Sequence, residues 1–427
     1  MTQSTTPNQL TTVREKREKF IRAFAVLAVL GVVAGMAIVH FPRNKTDVAS
    51  AIDFSEFYCA AQIVRQGLGH DLYNVVTQAA FEYKVAALHV FFNHPPFEAV
   101  VYMPFTYFSY RTAYILWVIV SLGLLATTTR LICKHTAVLH AVSQYIRMPA
   151  DFGLVLVLFA TFAPVTTCLM LGQNSVLTFL IYTLVFVFLT RGSQFAAGCM
   201  LACGLYKFQL ILPFLLILVL RRKWPAIKGF VLIASFLLLA SVAISGVHVL
   251  VAYPYFLFFD PVFRKFAGFA PQFMPNLNGL IYLGVHTLNS KFMFAGTLAV
   301  CTVTTLVLTA KHWSDQYLNL SFAVSLLATM LCSYHLYNYD LTLLLLPIAI
   351  VSGELAVRGQ LLASRMFAIL LVVLFIPPLH LFLSSHGSYG LIAVPILLMW
   401  VKSVELLAQL SAPSAARLRS GIVGVAG

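Results

Sequence analysis

Acidic side chains are concentrated in one polar stretch near the start of a chain that is otherwise almost continuously apolar. Six of the 14 acidic residues lie in or beside residues 53–97, at positions Asp47, Asp53, Glu56, Asp71, Glu82 and Glu98. A carboxylate is costly in hydrocarbon, so a membrane protein that collects carboxylates in one extramembrane loop indicates chemistry or ligand binding there. The sequence therefore predicts that this loop is the catalytic face.

Asp53 is the acid on which two interpretations compete. It directly precedes the stretch Phe54-Ser-Glu-Phe-Tyr-Cys-Ala-Ala, where the N-cap of a helix would lie, and capping is the plain alternative. The functional alternative is a lone general base, because a carboxylate at the start of an interfacial helix can stay ionised and reach a hydroxyl group. Both alternatives are open at this point.

Three basic residues are candidate ligands for a phosphate group. Lys207 lies in Gly204-Leu-Tyr-Lys-Phe-Gln-Leu, at the predicted turn of a tight hairpin of two spans. A fixed cation there would suit the phosphate of a lipid-borne substrate, whereas the plain alternative is a lysine that snorkels to the outer headgroups. Arg264 and Lys265 could supply a second cation, or could simply attract anionic lipid.

Further polar residues are predicted at the same outer surface. His335 and Asp340 lie in Ser333-Tyr-His-Leu-Tyr-Asn-Tyr-Asp-Leu-Thr, where sugar or phosphate contact and structural pairing are equally good interpretations. The other candidates for acceptor or sugar contacts are Glu56, Asp71, Tyr73, His94, Gln173, Asn174, Gln209, Asn276, Asn278 and Asn338. Residues of this kind also serve as ordinary helix caps and interfacial anchors.

Composition places the chain in a membrane. It is 60% hydrophobic and 10% charged, with a mean hydropathy of +0.89. The apolar runs lack strict alternation of apolar and polar positions, which predicts helices rather than barrel strands and an all-α polytopic protein. The formal charge of +14 falls in short clusters between apolar runs, which indicates orientation rather than a nucleic acid partner. The seven cysteines imply no disulfide framework.

The charge clusters predict about 12 transmembrane helices within one domain. Residues 1–22 form a cytoplasmic tail, 23–402 the transmembrane domain and 403–427 a second cytoplasmic tail. The first outer loop, 42–94, is expected to contain interfacial helices at 54–66 and 74–92, and a second outer loop spans 251–290. Residues 95–109 are predicted as a short helix that dips into the outer leaflet.

Several motifs are missing from the sequence, and their absence bears on the substrate. The chain has no D-x-D, P-loop, G-x-G-x-x-G, H-E-x-x-H or G-x-S-x-G. Nucleotide sugars usually need a metal held by paired acids, so the sequence argues against such donors. A lipid monophosphate donor needs no such metal, and we expect neither a metal site nor a cofactor.

Seven segments, in this order, resemble the integral-membrane glycosyltransferases of the GT-C superfamily. They are most similar to the bacterial polyprenyl-phosphate-mannose-dependent mannosyltransferases, glycosyltransferase family 87. The segments are Asp53 to Ala61, Gly67 to Tyr73, Pro95-Pro96-Phe97 with Pro104 and Trp117, Gly172-Gln-Asn174, Ala197-Gly198 to Lys207 with Arg221-Arg222, Asn276 to Gly279, and His335 to Asp340.

The resemblance implies a fold, a reaction and a catalytic residue. It implies a GT-C-like fold whose catalytic aspartate in the first outer loop corresponds to Asp53, and a donor bound between that loop and later outer loops. The implied partners are a polyprenyl-phosphate sugar, a lipid or cell-envelope glycan acceptor, and membrane lipids. The implied location is the bacterial inner membrane, with the site facing the periplasm.

Two alternatives stay open. One is a pentose or other hexose transferase that uses the same lipid carrier. The other is a transporter or flippase of lipid-linked sugars, which would commonly place ionisable residues near the bilayer midplane and show repeated halves. The sequence shows neither feature.

Overall fold

The computed structural model describes residues 53–85, 91–260, 270–285, 290–361 and 364–411. Within these ranges the regular elements are all helical, which confirms the predicted all-α class. The predicted first span at 23–41, the N-terminal tail, and Arg264 and Lys265 lie outside the described residues.

The described residues contain 19 α-helices. In chain order they are α1 (Phe54–Arg65), α2 (Val75–Glu82), α3 (Pro96–Tyr102), α4 (Tyr110–His135), α5 (Val138–Ile146), α6 (Phe152–Ala160), α7 (Ala163–Leu171), α8 (Ser175–Thr190), α9 (Gln194–Ala202), α10 (Phe208–Leu220), α11 (Trp224–Ser245), α12 (Val247–Phe259), α13 (Leu277–Val285), α14 (Lys291–His312), α15 (Leu318–Cys332), α16 (Leu345–Val357), α17 (Arg365–Phe375), α18 (Pro377–Ser385) and α19 (Ala393–Ser411). Short 3-10 helices are Gly69–Asp71, Met103–Tyr107, Leu205–Lys207, Pro271–Phe273, Asn338–Leu344 and Tyr389–Ile392.

The helices confirm a multi-pass membrane protein. Five helical segments of the described chain are long and apolar enough to cross a membrane, and the number rises to eight if each of three bent helix pairs is one span. Three shorter apolar helices are α8, α12 and α15. The count of 12 stays a prediction.

Two of the bent pairs have proline where the second helix begins. The pair α6 and α7 is bent by 67° and the pair α17 and α18 by 63°, with Pro164 and Pro377 in the first turns of the second helices. Proline lacks an N–H and suits a first turn, so a new helix begins there at little cost.

The third bend lies beside Lys207. There α9 and the helical segment 205–220 are bent by 62°, where we predicted a tight hairpin of two spans. The Tyr206 hydroxyl lies 3.0 Å from Thr178 Oγ1, and the Tyr182 hydroxyl donates to the carbonyl of Leu210 at 2.6 Å. The break therefore brings Lys207 to the first turns of α8.

Polar contacts join the helix termini at one end of the bundle, which we call the far end. These contacts are Arg191 with His135 (3.4 Å), Gln144 with Ala356 (3.3 Å), Asn319 with Glu354 (3.0 Å) and Lys223 with Asp315 (2.6 Å). The opposite end of the bundle contains the starts of α8 and α10 and the 3-10 helix before α16. We call it the site end, because most of the polar residues selected above lie there. Both α8 and α16 therefore run from the site end to the far end.

Helix α1 differs from the predicted interfacial helix. Residues 54–61 and 63 are all buried, and the ring of Phe57 stacks on Tyr102 at 4.7 Å. Phe54 packs against Tyr110 and Tyr114. An interfacial helix would leave a polar face exposed, so α1 is instead enclosed by protein, and this packing fixes the position of Asp53.

Two helices extend beyond boundaries that the sequence predicts, and those boundaries stay predictions. Helix α12 continues to Phe259, well inside the predicted outer loop 251–290. Helix α19 continues to Ser411, so the predicted end of the transmembrane domain at residue 402 falls within a helix. Helix α3 and the following 3-10 helix match the short helix predicted at 95–109.

Candidate active site

Asp53 occupies the N-cap position of α1 without capping it. Its backbone is helical (φ −54°, ψ −22°), and its side chain makes no hydrogen bond to the first turn. Instead, Asp53 Oδ2 accepts a hydrogen bond from Gln173 Nε2 at 2.6 Å. The capping alternative is therefore wrong, and the carboxylate is held by a residue 120 positions away.

Three consecutive side chains at the start of α8 each bind a different carboxylate; we call Gln173-Asn174-Ser175 the carboxylate-binding segment. Gln173 donates to Asp53, Asn174 Nδ2 donates to Glu98 Oε1 at 2.5 Å, and Ser175 Oγ donates to Asp340 Oδ1 at 2.8 Å. The three carboxylates come from three separate parts of the chain. The segment thus brings them together at one helix end.

Gly172 fixes the approach of this segment to α1. It ends α7 in the left-handed region at φ 67°, and a Cβ there would lie 2.6 Å from Phe54 Cβ. Only glycine takes this backbone conformation without strain and leaves room for the phenyl group. The tight contact explains how Gln173 comes within reach of Asp53.

Lys207 is buried, with 2% of its side chain exposed. Its Nζ lies 2.7 Å from Ser175 Oγ and 2.5 Å from Asp340 Oδ1, and it also lies 5.1 Å from the centre of the Tyr339 ring. A snorkelling lysine would reach water, so that alternative is wrong. Asp340 pairs with this lysine and also accepts from the backbone N–H of Tyr337 at 3.1 Å.

His94 lies between two buried carboxyl groups. Its Nδ1 is 2.7 Å from Glu98 Oε2, and its Nε2 is 3.9 Å from Glu56 Oε1. Tyr73 donates to the backbone carbonyl of His94 at 2.7 Å and so holds this turn in place. Tyr73 therefore contacts the site through the backbone.

Two members of the cluster were absent from our predicted site, Glu98 and Ser175. His94 and Glu98 lie only four residues apart in the chain, and this short spacing could have indicated their contact. Ser175 directly follows two predicted residues, but serine at that position equally suits an ordinary helix start. Nothing in the sequence indicates that Ser175 bridges Lys207 and Asp340.

Burial raises the pKa of Asp53 and the pKa of Glu56 to different extents. It raises the pKa of Asp53, while the hydrogen bond from Gln173 and the charges of Lys207 and His94 act in the opposite direction. Burial raises the pKa of Glu56 much further, and the negative charges of Asp53 and Glu98 add to the effect. Neighbouring carboxyl groups whose pKa values are pushed apart can take different proton-transfer roles.

His335 lies in the loop between α15 and the 3-10 helix 338–344. Burial lowers the pKa of its imidazole to about 4, although the charge of Asp340 opposes the shift. The imidazole is therefore neutral at pH 7. It supplies no positive charge to a ligand.

Two of the predicted asparagine contacts hold loops together. Asn276 Nδ2 donates to the carbonyl of Ser333 at 2.7 Å, and its Oδ1 accepts from Gly279 N at 3.0 Å. Asn278 Nδ2 donates to the carbonyl of Tyr334 at 3.0 Å. Together they fasten the start of α13 to the loop that carries His335.

Asn338 also has a structural position. Its Nδ2 donates to Thr167 Oγ1 at 3.3 Å and its Oδ1 accepts from the hydroxyl of Tyr389 at 2.7 Å. The Tyr389 hydroxyl in turn lies 2.7 Å from His380 Nδ1. This chain of contacts ties the site loop to the C-terminal helices.

The remaining predicted residues are not part of the cluster. Asp71 lies at the surface beside His70, with 38% of its side chain exposed. Gln209 is half-buried in the first turn of α10. Among the described residues, no three His, Cys, Asp or Glu side chains are arranged to hold a metal ion.

The fold and the cluster define a class of protein: a multi-pass, all-helical membrane protein with an acid-rich polar site at one end. The family model described as Glycosyltransferase family 87 matches residues 91–333, more than half of the chain. The chain belongs to this family and is a GT-C-like membrane glycosyltransferase, which confirms the resemblance. The matched region contains Glu98, the carboxylate-binding segment and Lys207, whereas Asp53 and Asp340 lie outside it. No curated protein sequence matches the chain.

Proposed function

We propose that the protein transfers a sugar, with mannose as the first candidate, from a polyprenyl-phosphate donor to a lipid or cell-envelope glycan acceptor. Asp53 is the general base. The observation that carries this proposal is the hydrogen bond from Gln173 to Asp53, because it orients a carboxylate that has no capping role. A raised pKa brings a carboxylate closer to the range in which general bases work best.

The proposed reaction needs a single base. The acceptor oxygen attacks the anomeric carbon while its proton passes to Asp53, and the bond from that carbon to the phosphate oxygen breaks. Polyprenyl phosphate leaves with the electron pair, and the configuration is inverted. Phosphate is a good leaving group, so the proposed reaction requires no general acid and invokes no metal. Inverting glycoside hydrolases, by contrast, need a second carboxylate because their leaving group is poorer.

The donor phosphate is assigned to the surroundings of Lys207. An ammonium group carries three N–H donors, and two of them reach Ser175 and Asp340. We assign the third to a phosphate oxygen of the donor. Because Asp340 offsets the charge of Lys207, Arg264 and Lys265 are proposed as the additional cations.

We place the site on the outer face of the bacterial inner membrane. Lys134, Arg191, Arg221 to Lys223 and Arg358 lie at or beside the far end of the bundle. Basic residues are enriched on the cytoplasmic side of membrane proteins. A cytoplasmic far end puts Asp53 and Lys207 on the opposite side.

The test is a transfer assay with purified protein and synthetic polyprenyl-phosphate mannose, offered with a panel of cell-envelope glycolipids. We expect labelled mannose in the product without added metal. The same donor carrying a pentose or another hexose tests the alternative sugars. In sealed vesicles of known orientation, transfer to an impermeant acceptor should occur only when it is added on the outer side. Failure with all lipid-phosphate donors would refute the proposal.

A further inference from the structure

Buried amide side chains in this protein differ in how their two terminal atoms are satisfied. Asn278 donates to the backbone carbonyl of Tyr334, while its Oδ1 has no hydrogen-bond partner among the described residues. Gln78 Nε2 donates to the carbonyl of Leu72 at 2.8 Å, and its Oε1 accepts from Phe92 N at 2.6 Å. Asn276 likewise uses both its N–H and its carbonyl. These two amides connect backbone segments, and each is satisfied at both ends.

Gln173 and Asn174 behave differently. They are 3% and 1% exposed, and their N–H groups bind Asp53 and Glu98. Their carbonyl oxygens, Gln173 Oε1 and Asn174 Oδ1, are buried without a hydrogen-bond partner among the described residues. A buried carbonyl with no partner costs free energy, so two adjacent ones at a site indicate a ligand with matching donors.

The orientation of both amides follows from chemistry. An ionised carboxylate only accepts hydrogen bonds, so the amide atom that faces it must be the NH₂ group. The carbonyl oxygen is then the atom left for another partner. Asn174 Oδ1 does not cap the start of α8 either.

The carbonyl of Gln173 lies close to the base. Standard C=O and C–N bond lengths put the two terminal atoms of an amide about 2.3 Å apart. Gln173 Nε2 is 2.6 Å from Asp53 Oδ2, which places Gln173 Oε1 within about 5 Å of that carboxylate oxygen. A group hydrogen-bonded to this carbonyl would therefore lie within about 8 Å of Asp53 Oδ2.

We propose that Gln173 and Asn174 determine which sugar is transferred. Their side-chain carbonyl oxygens accept hydrogen bonds from hydroxyl groups of that sugar, and these hydroxyl groups lie next to the reacting carbon. Their N–H groups meanwhile hold the two carboxylates. Amide carbonyls accept and cannot donate, so they bind a polyhydroxyl ligand and gain nothing from an ether or a methylene group. The inference rests on the proposed function, because it assumes a sugar donor at Asp53.

The experiment combines a change in the protein with a change in the donor. Polyprenyl-phosphate mannose is compared with its analogue lacking the hydroxyl on the carbon next to the anomeric carbon, and kcat/KM is measured for both. The wild type should prefer the complete sugar by about 10- to 100-fold, because the analogue leaves a buried acceptor unpaired. In Gln173→Met the preference should fall to about 3-fold or less. Overall activity should also fall in this variant, since Asp53 loses its hydrogen bond.

Gln78→Met is the matched control. It removes a buried amide of the same size that is satisfied by backbone groups, so it should lower stability but leave the preference between the two donors unchanged. If Gln173→Met does not fold, the wild type alone still decides, because equal use of both donors would overturn the inference. A preference retained in Gln173→Met and Asn174→Ser would overturn it as well. Failure of the wild type with every lipid-phosphate sugar would refute the proposed function, and the inference with it.

Discussion

Helix α10 is flanked by two lysine–aspartate pairs that have nearly the same shortest N–O distance but very different surroundings. At the site end Lys207 Nζ lies 2.5 Å from Asp340 Oδ1, and at the far end Lys223 Nζ lies 2.6 Å from Asp315 Oδ1. The exposed fractions are 2% and 1% in the first pair but 14% and 65% in the second. Distance alone would predict that the two pairs stabilise the protein equally.

The difference in burial gives the two pairs different consequences. An exposed pair is screened by water and contributes little, whereas breaking a buried pair leaves one charge without compensation. Removing one partner at the site end should therefore affect both folding and function, and the same change at the far end should affect neither strongly. The following predictions test this contrast, from the largest effect to the smallest.

The largest effect is expected from Asp53→Asn compared with Asp315→Asn. Asparagine keeps the size of Asp53 but cannot accept the acceptor's proton, so turnover should fall by about 10²–10⁴-fold with little change in donor affinity or thermal stability. Asp315→Asn should transfer mannose at the wild-type rate. Near-normal transfer by Asp53→Asn would remove it from the mechanism and direct attention to Glu56.

The next effect concerns the stability of the two ion pairs. Lys207→Met leaves Asp340 buried and unpaired, and should lower the free energy of unfolding by about 3–5 kcal/mol. Lys223→Met should lower it by no more than about 1 kcal/mol. Denaturation in detergent measures both. Adding Asp340→Leu to Lys207→Met should recover much of the loss, and equal losses in the two single variants would show that burial does not distinguish the pairs.

A third prediction uses pH. Burial raises the pKa of Asp53, and a base works only when deprotonated, so kcat/KM should fall on acidification at a higher pH than an ordinary aspartate would give. Gln173→Met removes a hydrogen bond that opposes this rise, and should move the acid limb to still higher pH. The pH profile is the readout, because a change in packing alone would lower the rate at every pH. An unmoved acid limb would contradict the role of Gln173.

The smallest change in stability is expected from Asp315→Asn. Burial would raise its pKa, but hydrogen bonds from Lys223 and Trp313 lower it below the ordinary value. A lowered pKa means that Asp315 contributes stability above its unfolded-state pKa, and that the contribution is lost as pH falls through the folded-state pKa. Asp315→Asn should reduce stability only slightly at neutral pH, and less at high salt. A large, salt-independent loss would contradict the contrast between the two ends.

Sequence patterns predicted the fold class because membrane helices depend mainly on local composition. Long apolar runs indicate helices whatever their neighbours are. The breaks within the bundle were harder to predict, since Pro213 lies inside α10 without ending it, whereas Pro164 and Pro377 lie in the first turns of α7 and α18. The enclosure of α1 depends on aromatic residues far along the chain, and no local pattern specifies that.

The site was predictable as a set of residues but not as a set of partners. Asp53, Gln173, Asn174, Lys207 and Asp340 were all selected as polar residues expected at one depth, and the structure brings them together. Their pairing depends on tertiary contacts, so the sequence could not distinguish a snorkelling lysine from one bonded to Asp340. The same limit applied to Asn276 and Asn338, whose partners are groups from distant parts of the chain.

The carboxylate-binding segment also has a consequence for the order of folding. Its three hydrogen bonds join residues that are 76, 120 and 165 positions apart. Contacts between distant residues carry a larger chain-closure entropy and form late. During synthesis Asp53 and Gln173 emerge long before Asp340, so a nascent chain holds an incomplete site until the helix that follows Asp340 has been inserted. Formation of the cluster is thereby coupled to completion of the bundle, and a truncated chain would carry Asp53 without the pair that fixes Lys207.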